Sequence, residues 1–395
     1  MPDRPAPEQT APSTGLPHRA ALALLLLAST LAVMAGSAIT PVMDVMRGDL
    51  GVDGTAAGLI LTAHGLVIAL VSPLAGWMID RWGIRLPLAG GLLLYGIAGS
   101  AGIITDSYAP LIASRLAFGV GAAFVFTGTT VALLSLYRGA IRDRVLGWRT
   151  TATSFGGVLF PVVGGALATA FSWHATFGLY VVGLPLGLAA LVAIPDAVDE
   201  ARGRQADDGL ASLLRPALVG VYLLVLIQAI MLYALAVFLP LRLGQLNLTT
   251  PVLVSVYMAL MAATSSIVGG GFGWLGRRFS YLALLRLSAV AWGLSFLILG
   301  LSESLPVLAA GCAMLGIGNA LAFSTTSVLI DEHVKGPLLG RAMAVFSTCM
   351  FSGQFVSPLL LGPLMEATSI ATGYLVLSAV AAAILAVLFI PRHHR

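Results

Sequence analysis

Twelve apolar runs, each about long enough to cross a lipid bilayer, constrain this chain more than any other feature. A helix spanning the hydrocarbon core needs about 20 largely apolar residues. The runs fall at 20–43, 55–77, 86–105, 108–136, 145–171 and 173–195, then 217–241, 251–274, 281–301, 305–330, 338–365 and 368–390. In lipid a segment must pair its own backbone polar groups, which predicts helices. A closed barrel would instead need short segments of alternating hydrophobicity. Only 10% of the residues are charged, against about 25% in soluble domains, so soluble enzymes, nucleic-acid binders and disordered chains are excluded. The first run follows His18 and Arg19 and ends in small residues, as a signal peptide does. Its length and its counterpart later in the chain predict a retained span instead. Cys312 and Cys349 both lie in apolar runs and suggest neither a disulfide framework nor a metal cluster.

The few charges are placed with a strong bias. Of the 21 Lys and Arg residues, all but Arg47, Arg115 and Arg242 fall on one side of the alternating connections. The positive-inside rule makes that side cytoplasmic, with both termini on it. The longest polar stretch between runs, 196–215, sits near the middle of the chain. The expected organisation is a tail at 1–19, a six-helix bundle at 20–195, a central cytoplasmic loop at 196–215, a second six-helix bundle at 216–391 and a tail at 392–395.

The two halves repeat at a single offset of 197 residues. Gly76-Trp77 falls on Gly273-Trp274, Arg81 on Arg278, and Gly119 and Gly121 on Gly316 and Gly318. The same shift carries Gly156, Pro161 and Gly165 onto Gly353, Pro358 and Gly362. One offset holding through loops and spans signals a structural repeat. Six spans plus six, related in parallel, is an arrangement of secondary transporters, whose site lies between the halves near the midplane. A membrane-embedded enzyme or a receptor has no need of duplicated halves.

The carboxylates stay at span ends, loops and tails: Asp44 and Glu366 at outer edges, Asp331 and Glu332 at an inner one. Counting inward leaves His64, Gln228 and Asn319 near the centre, with Gln354 further out. Met34, Tyr233, Tyr257, Met258 and Met261 are candidates for an adaptable apolar lining. A buried cation needs a counter-charge, and no Asp or Glu reaches the midplane, so the cargo is expected to be neutral, amphipathic or anionic. His64 titrates in the range needed of a proton carrier, although a hydrogen-bonded packing role fits a lone His equally well. Asp44 is the nearest acid on the outer side. His393 and His394 read as part of the basic tail, and no metal site or cofactor is expected.

Three motifs then point to a family. The second connection reads Gly76-Trp-Met-Ile-Asp80-Arg81-Trp-Gly83-Ile-Arg85, which resembles the G-x-x-x-D-R-x-G-R-[KR] loop of the major facilitator superfamily, with Ile84 replacing one basic residue. Run four carries Arg115-Leu-Ala-Phe-Gly119-Val-Gly121-Ala-Ala, similar to the family's R-x-x-x-G-x-G-A-A. Run five carries Gly156-Gly-Val-Leu-Phe160-Pro161-Val-Val-Gly164-Gly165, which resembles the antiporter motif G-x-x-x-G-P-x-x-G-G with Phe160 in place of a Gly. Ser172-Trp173-His174-Ala-Thr-Phe177 is similar to W-R-x-x-F, with His174 for Arg, and reads as an interfacial anchor. The resemblance covers essentially the whole chain.

It implies an all-α polytopic membrane protein, twelve transmembrane helices in two pseudo-symmetric six-helix bundles. It further implies that Gly76, Asp80, Arg81, Gly83 and Arg85 form a conformational latch, with Asp80 approaching the start of the eleventh span at Gly336-Pro337. A helix N-terminus attracts such a carboxylate. Arg115 would take part in proton coupling; snorkelling to the outer headgroups is the competing reading. Small residues let helices approach closely, and Gly269, Gly270 and Gly271 of run eight are the expected surface facing run five. The function so implied is proton-coupled efflux of a small amphipathic compound across the cell membrane, by a monomer whose partners are lipid, cargo and protons. Uptake of a metabolite, coupled or facilitated, is the alternative, and a non-transporting sensor a further one. No nucleic-acid partner or enzymatic activity is expected, and no G-x-x-x-x-G-K-[ST] loop is present for ATP-driven pumping.

Overall fold

The computed structural model describes residues 19–137, 139–195, 215–246, 250–334 and 338–390. It contains twelve helices long and apolar enough to cross a membrane. They are α1 (Arg19–Leu50), α2 (Gly54–Trp82), α3 (Arg85–Ile103), α4 (Tyr108–Leu136), α5 (Arg144–Ala170), α6 (Trp173–Ala193), α7 (Pro216–Gln245), α8 (Pro251–Gly270), α9 (Tyr281–Leu301), α10 (Leu305–His333), α11 (Arg341–Ala367) and α12 (Ile370–Phe389). These match the twelve sequence runs. The tails and most of the central connection (1–18, 196–214 and 391–395) lie outside the described residues.

Local chemistry sets the helix ends. Asp53 caps α2, its carboxylate accepting from the Ala56 amide at 2.6 Å. Ser280 and Ser369 cap α9 and α12 in the same way, each satisfying an otherwise orphaned amide. Pro251 opens α8, where a missing N–H costs nothing. Gly83, between α2 and α3, has φ +79°, a conformation that favours glycine. A 3-10 turn at Thr40–Val42, opened with Pro41, interrupts α1.

Within the first half α4 packs on α2 and α3, and α3 on α6; within the second, α9 packs on α10 and α12, and α10 on α8. The halves meet along two seams, α2 with α11 and α5 with α8. The sequence offset relates the positions at which these seams touch. Ser255 of α8 donates to the Pro161 carbonyl of α5 at 2.7 Å, and a Cβ added at Gly165 would fall on Ser255 Oγ. In the counterpart seam a Cβ at Gly58 would lie 2.6 Å from Pro358 Cβ, and one at Gly362 would fall on Thr55 Oγ1. Glycine is required here because the facing helix leaves no room for a Cβ.

Candidate functional site

Both seams close on the side away from the Arg-rich connections. There Glu366 at the end of α11 accepts from the Thr55 amide and hydroxyl at the start of α2, each at 2.9 Å. Within the first half, Gly164 of α5 is pressed on the Ala38 carbonyl of α1. On the Arg-rich side the same helices part: a Cβ at Gly147 of α5, or at Gly269 or Gly270 of α8, would meet nothing within 4 Å. The run Gly269–Gly271 therefore does not face the α5 motif. The two helices are antiparallel, so the outer motif of α5 meets the outer end of α8, at Pro251 and Ser255.

Between the seams lies a cavity of about 470 Å³ that reaches from Ser37 and Thr40 of α1 to Ser266, Phe323 and Met350 toward the Arg-rich side. Its walls come from both halves: α1, α4 and α5 on one side, α7, α8, α10 and α11 on the other. Gln228, Tyr233, Met261, Asn319 and Gln354 line it, as do Met258 and the motif residue Pro161. Phe126, Phe323, Met350 and Phe351 also line it, and no sequence signal marked them; helices apolar on every face carry no stripe to show their orientation. Phe126 and Phe351 meet edge to face across the halves at 5.5 Å. None of the lining residues is Asp, Glu, Lys, Arg or His.

Met34 and Tyr257 do not line this cavity. Met34 is fully buried in the packing around α1, where its carbonyl accepts from the Tyr180 hydroxyl at 3.4 Å. Tyr257 donates to the Leu305 carbonyl at 2.9 Å, tying α8 to the start of α10. Gly156 lies against its own helix neighbour Phe160 and against Thr30 of α1.

His64 and Gln354, from α2 and α11, come together in the first seam. Gln354 Nε2 is 3.1 Å from His64 Nε2, the ring is edge-on to Phe118 at 5.5 Å, and Nδ1 has no hydrogen-bond partner. With the Gln amide donating, the neutral ring carries its proton on Nδ1. Arg115 does not snorkel: it is wholly buried inside the first half. Its Nη2 donates to the carbonyls of Gly99 at 2.6 Å and Ala98 at 3.2 Å. The guanidinium carbon lies 4.7, 4.9 and 5.1 Å from the ring centres of Phe118, Phe177 and Tyr180, close enough for cation–π attraction. Carbonyls and rings stand where an acid would otherwise be, and Phe118 separates this charge from His64. Asp44 pairs with Arg47 at 3.2 Å, away from the cavity.

At the second connection Asp80 and Arg81 are exposed, and Arg85 is half-buried. Among the described residues Asp80 makes no hydrogen bond or ion pair. Gly336-Pro337, its expected partner, lies outside them. Gly76 has open space around it, so only Gly83 of the two glycines is needed for its backbone. His174 instead contacts Asp106 at 2.9 Å and stacks on Trp173, whose ring N–H donates to Asp49 at 2.9 Å.

Two pseudo-symmetric halves around a cavity open between them on one side and shut on the other define a membrane transporter. The Major Facilitator Superfamily profile matches residues 25–358 and 271–395, and the chain belongs to that family. It is 24% identical over 374 residues to the Quinolone resistance protein NorA of Staphylococcus aureus (strain MSSA476), covering 90% of this chain and 92% of that one. It is 28% identical over 173 residues to Multidrug resistance protein 1 of Bacillus subtilis (strain 168), 44% of each chain. Among solved structures the fold is similar to a bacterial homologue of the lysosomal transporter Spinster in an inward-facing, unoccupied conformation (TM-score 0.77, 15% identity, 95% and 97% coverage). It is also similar to the nucleoside transporter NupG (TM-score 0.79, 14% identity, 95% and 100% coverage).

Proposed function

We propose that this protein exports a small amphipathic compound in exchange for protons, with the Arg-rich face in the cytoplasm. The observation that carries the reading is the charge-free central cavity, shut at two seams and opening toward that face. In this orientation the structure corresponds to a cytoplasm-facing state ready to load cargo. The relation to proteins named for quinolone and multidrug resistance favours export, as do the small-residue contacts of Gly164 and Gly165.

Coupling would act at the α2–α11 seam. Protonation of His64 at Nε2 turns two donors toward each other, so the His64–Gln354 contact must break or Gln354 must turn. The first of these routes is the proposed link between proton binding and separation of the seam. Arg115, Asp44 and the Asp80 latch are assigned supporting roles: Arg115 holds α3, α4 and α6 together beneath Phe118, and Asp80 would lock the cytoplasmic side once the cavity opens outward. The test is growth of cells with and without the gene on a panel of toxic compounds, with intracellular accumulation measured. Lower accumulation in expressing cells, reversed by a protonophore, supports export; higher accumulation reverses the direction and selects uptake.

A further inference from the structure

Two buried amides in the cavity wall, Gln228 and Asn319, carry unpaired atoms. Gln228 of α7 donates from Nε2 to the Asn319 backbone carbonyl of α10 at 3.2 Å, tying together two helices of the wall. Gln228 Oε1 and both Asn319 side-chain atoms, Oδ1 and Nδ2, have no hydrogen-bond partner, although both residues are only 6% exposed. Buried amides are normally satisfied, so three unsatisfied atoms in one wall need an account. Of the other polar side chains in the wall, Ser37, Thr40, Thr153 and Ser266 donate to their own helices and Gln354 meets His64, while Tyr233, Ser154 and Ser265 also line the cavity.

We infer that Gln228 and Asn319 are the specificity-determining pair for a cargo with an aromatic or aliphatic body and one uncharged donor–acceptor head, such as a carboxamide, lactam or urea. The inference rests on the reading of the central cavity as the transport site. Two free acceptors and one free NH2 donor match a head offering N–H groups beside a carbonyl. An ammonium has only donors: it leaves Asn319 Nδ2 unpaired and brings a charge into a wall with no acid. A carboxylate has only acceptors, and faces two amide oxygens. Phe126, Phe323 and Phe351 supply flat apolar faces for the body, and Met258, Met261 and Met350 adapt to its outline.

The test is equilibrium binding to the purified full chain in lipid nanodiscs, with empty discs subtracted. The probes are a naphthalene carboxamide, its N,N-dimethyl amide and naphthylmethylammonium. The carboxamide is expected to bind at least tenfold more tightly than the dimethyl amide, about 1.4 kcal/mol, and the cation more weakly still. Asn319→Leu should remove the preference while thermal unfolding shows an intact fold. Asn319→Asp, which places an acid at the head position, should gain binding of the cation. Equal binding of the three probes, absence of carboxamide binding, tightest binding of the cation to the parent protein, or a preference that survives in both Asn319→Leu and Gln228→Leu overturns the inference. No gradient is applied, so failure of export or of proton coupling leaves this result standing, and a cation preference leaves the transport reading standing.

Discussion

Gly165→Ala should shift the protein away from the state described here. The added Cβ would fall on Ser255 Oγ and lie 2.8 Å from the Pro251 carbonyl oxygen. The hydroxyl can turn only by giving up its bonds to the Pro161 and Pro251 carbonyls, and the Pro251 backbone cannot yield cheaply because it opens α8. Overpacking of this kind costs about 1–3 kcal/mol. That cost falls on the conformation in which α5 and α8 touch on the Arg-poor side, so the ratio of closed to open outer seams should drop by roughly 5- to 150-fold. Spin labels at Ser107→Cys and Ser304→Cys, with Cys312 and Cys349 replaced, read this ratio. The two serines are exposed counterparts at the starts of α4 and α10 in the two halves, and their side chains cap nothing. Pulsed dipolar spectroscopy should show the distance distribution moving to longer values in Gly165→Ala. Gly157→Ala is the control, because its Cβ would make only an ordinary 3.7 Å contact with Ala262. An unchanged distribution in Gly165→Ala, or an equal shift in the control, refutes the packing argument.

Other outcomes follow from the same geometry. Gly362→Ala, the repeat counterpart whose Cβ would fall on Thr55 Oγ1, should open the outer side in the same assay. Glu366→Ala removes two hydrogen bonds at an exposed site, and should move that ratio by a smaller amount, on the order of 0.5–1 kcal/mol. Arg115→Met removes the guanidinium donor to the Ala98 and Gly99 carbonyls; at about 1.5–3 kcal/mol for a charged hydrogen bond, a lower unfolding temperature in detergent is expected, and an unchanged one would show that the guanidinium does not brace the first half. His64→Gln removes the imidazole at the seam, so the response of transport to pH, profiled over the range in which the parent protein responds, should be lost. Retention of the full pH profile would assign coupling to another group.

The twelve spans were legible because run length alone identifies a membrane helix, and most ends moved by only a few residues, the end of α1 by more. The repeat was legible too, and it carried more than symmetry: the offset that pairs Pro161 with Pro358 and Gly165 with Gly362 also pairs the two seams in which those residues work. Depth along each helix was readable by counting, which placed His64, Gln228 and Asn319 near the centre. Rotation about the helix axis was not readable, because these helices are apolar on every side. That is why Met34 and Tyr257 fell outside the cavity and Phe126 and Phe351 went unnoticed. The meeting of His64 with Gln354 was hidden for a different reason: it needs the relative depth of α2 and α11, which only the packed seam fixes. Gly269–Gly271 went wrong on depth as well, since antiparallel helices bring opposite sequence ends together.

The account turns on proton-driven movement of cargo out of the Arg-rich compartment. Inside-out membrane vesicles with an imposed pH gradient, acid inside, measure this directly through uptake of a fluorescent aryl carboxamide. Gradient-dependent accumulation in vesicles containing the protein, lost in Asn319→Leu and on collapse of the gradient, is the expected result. Accumulation indifferent to the gradient, or loss of the probe from preloaded vesicles under the same gradient, would contradict it.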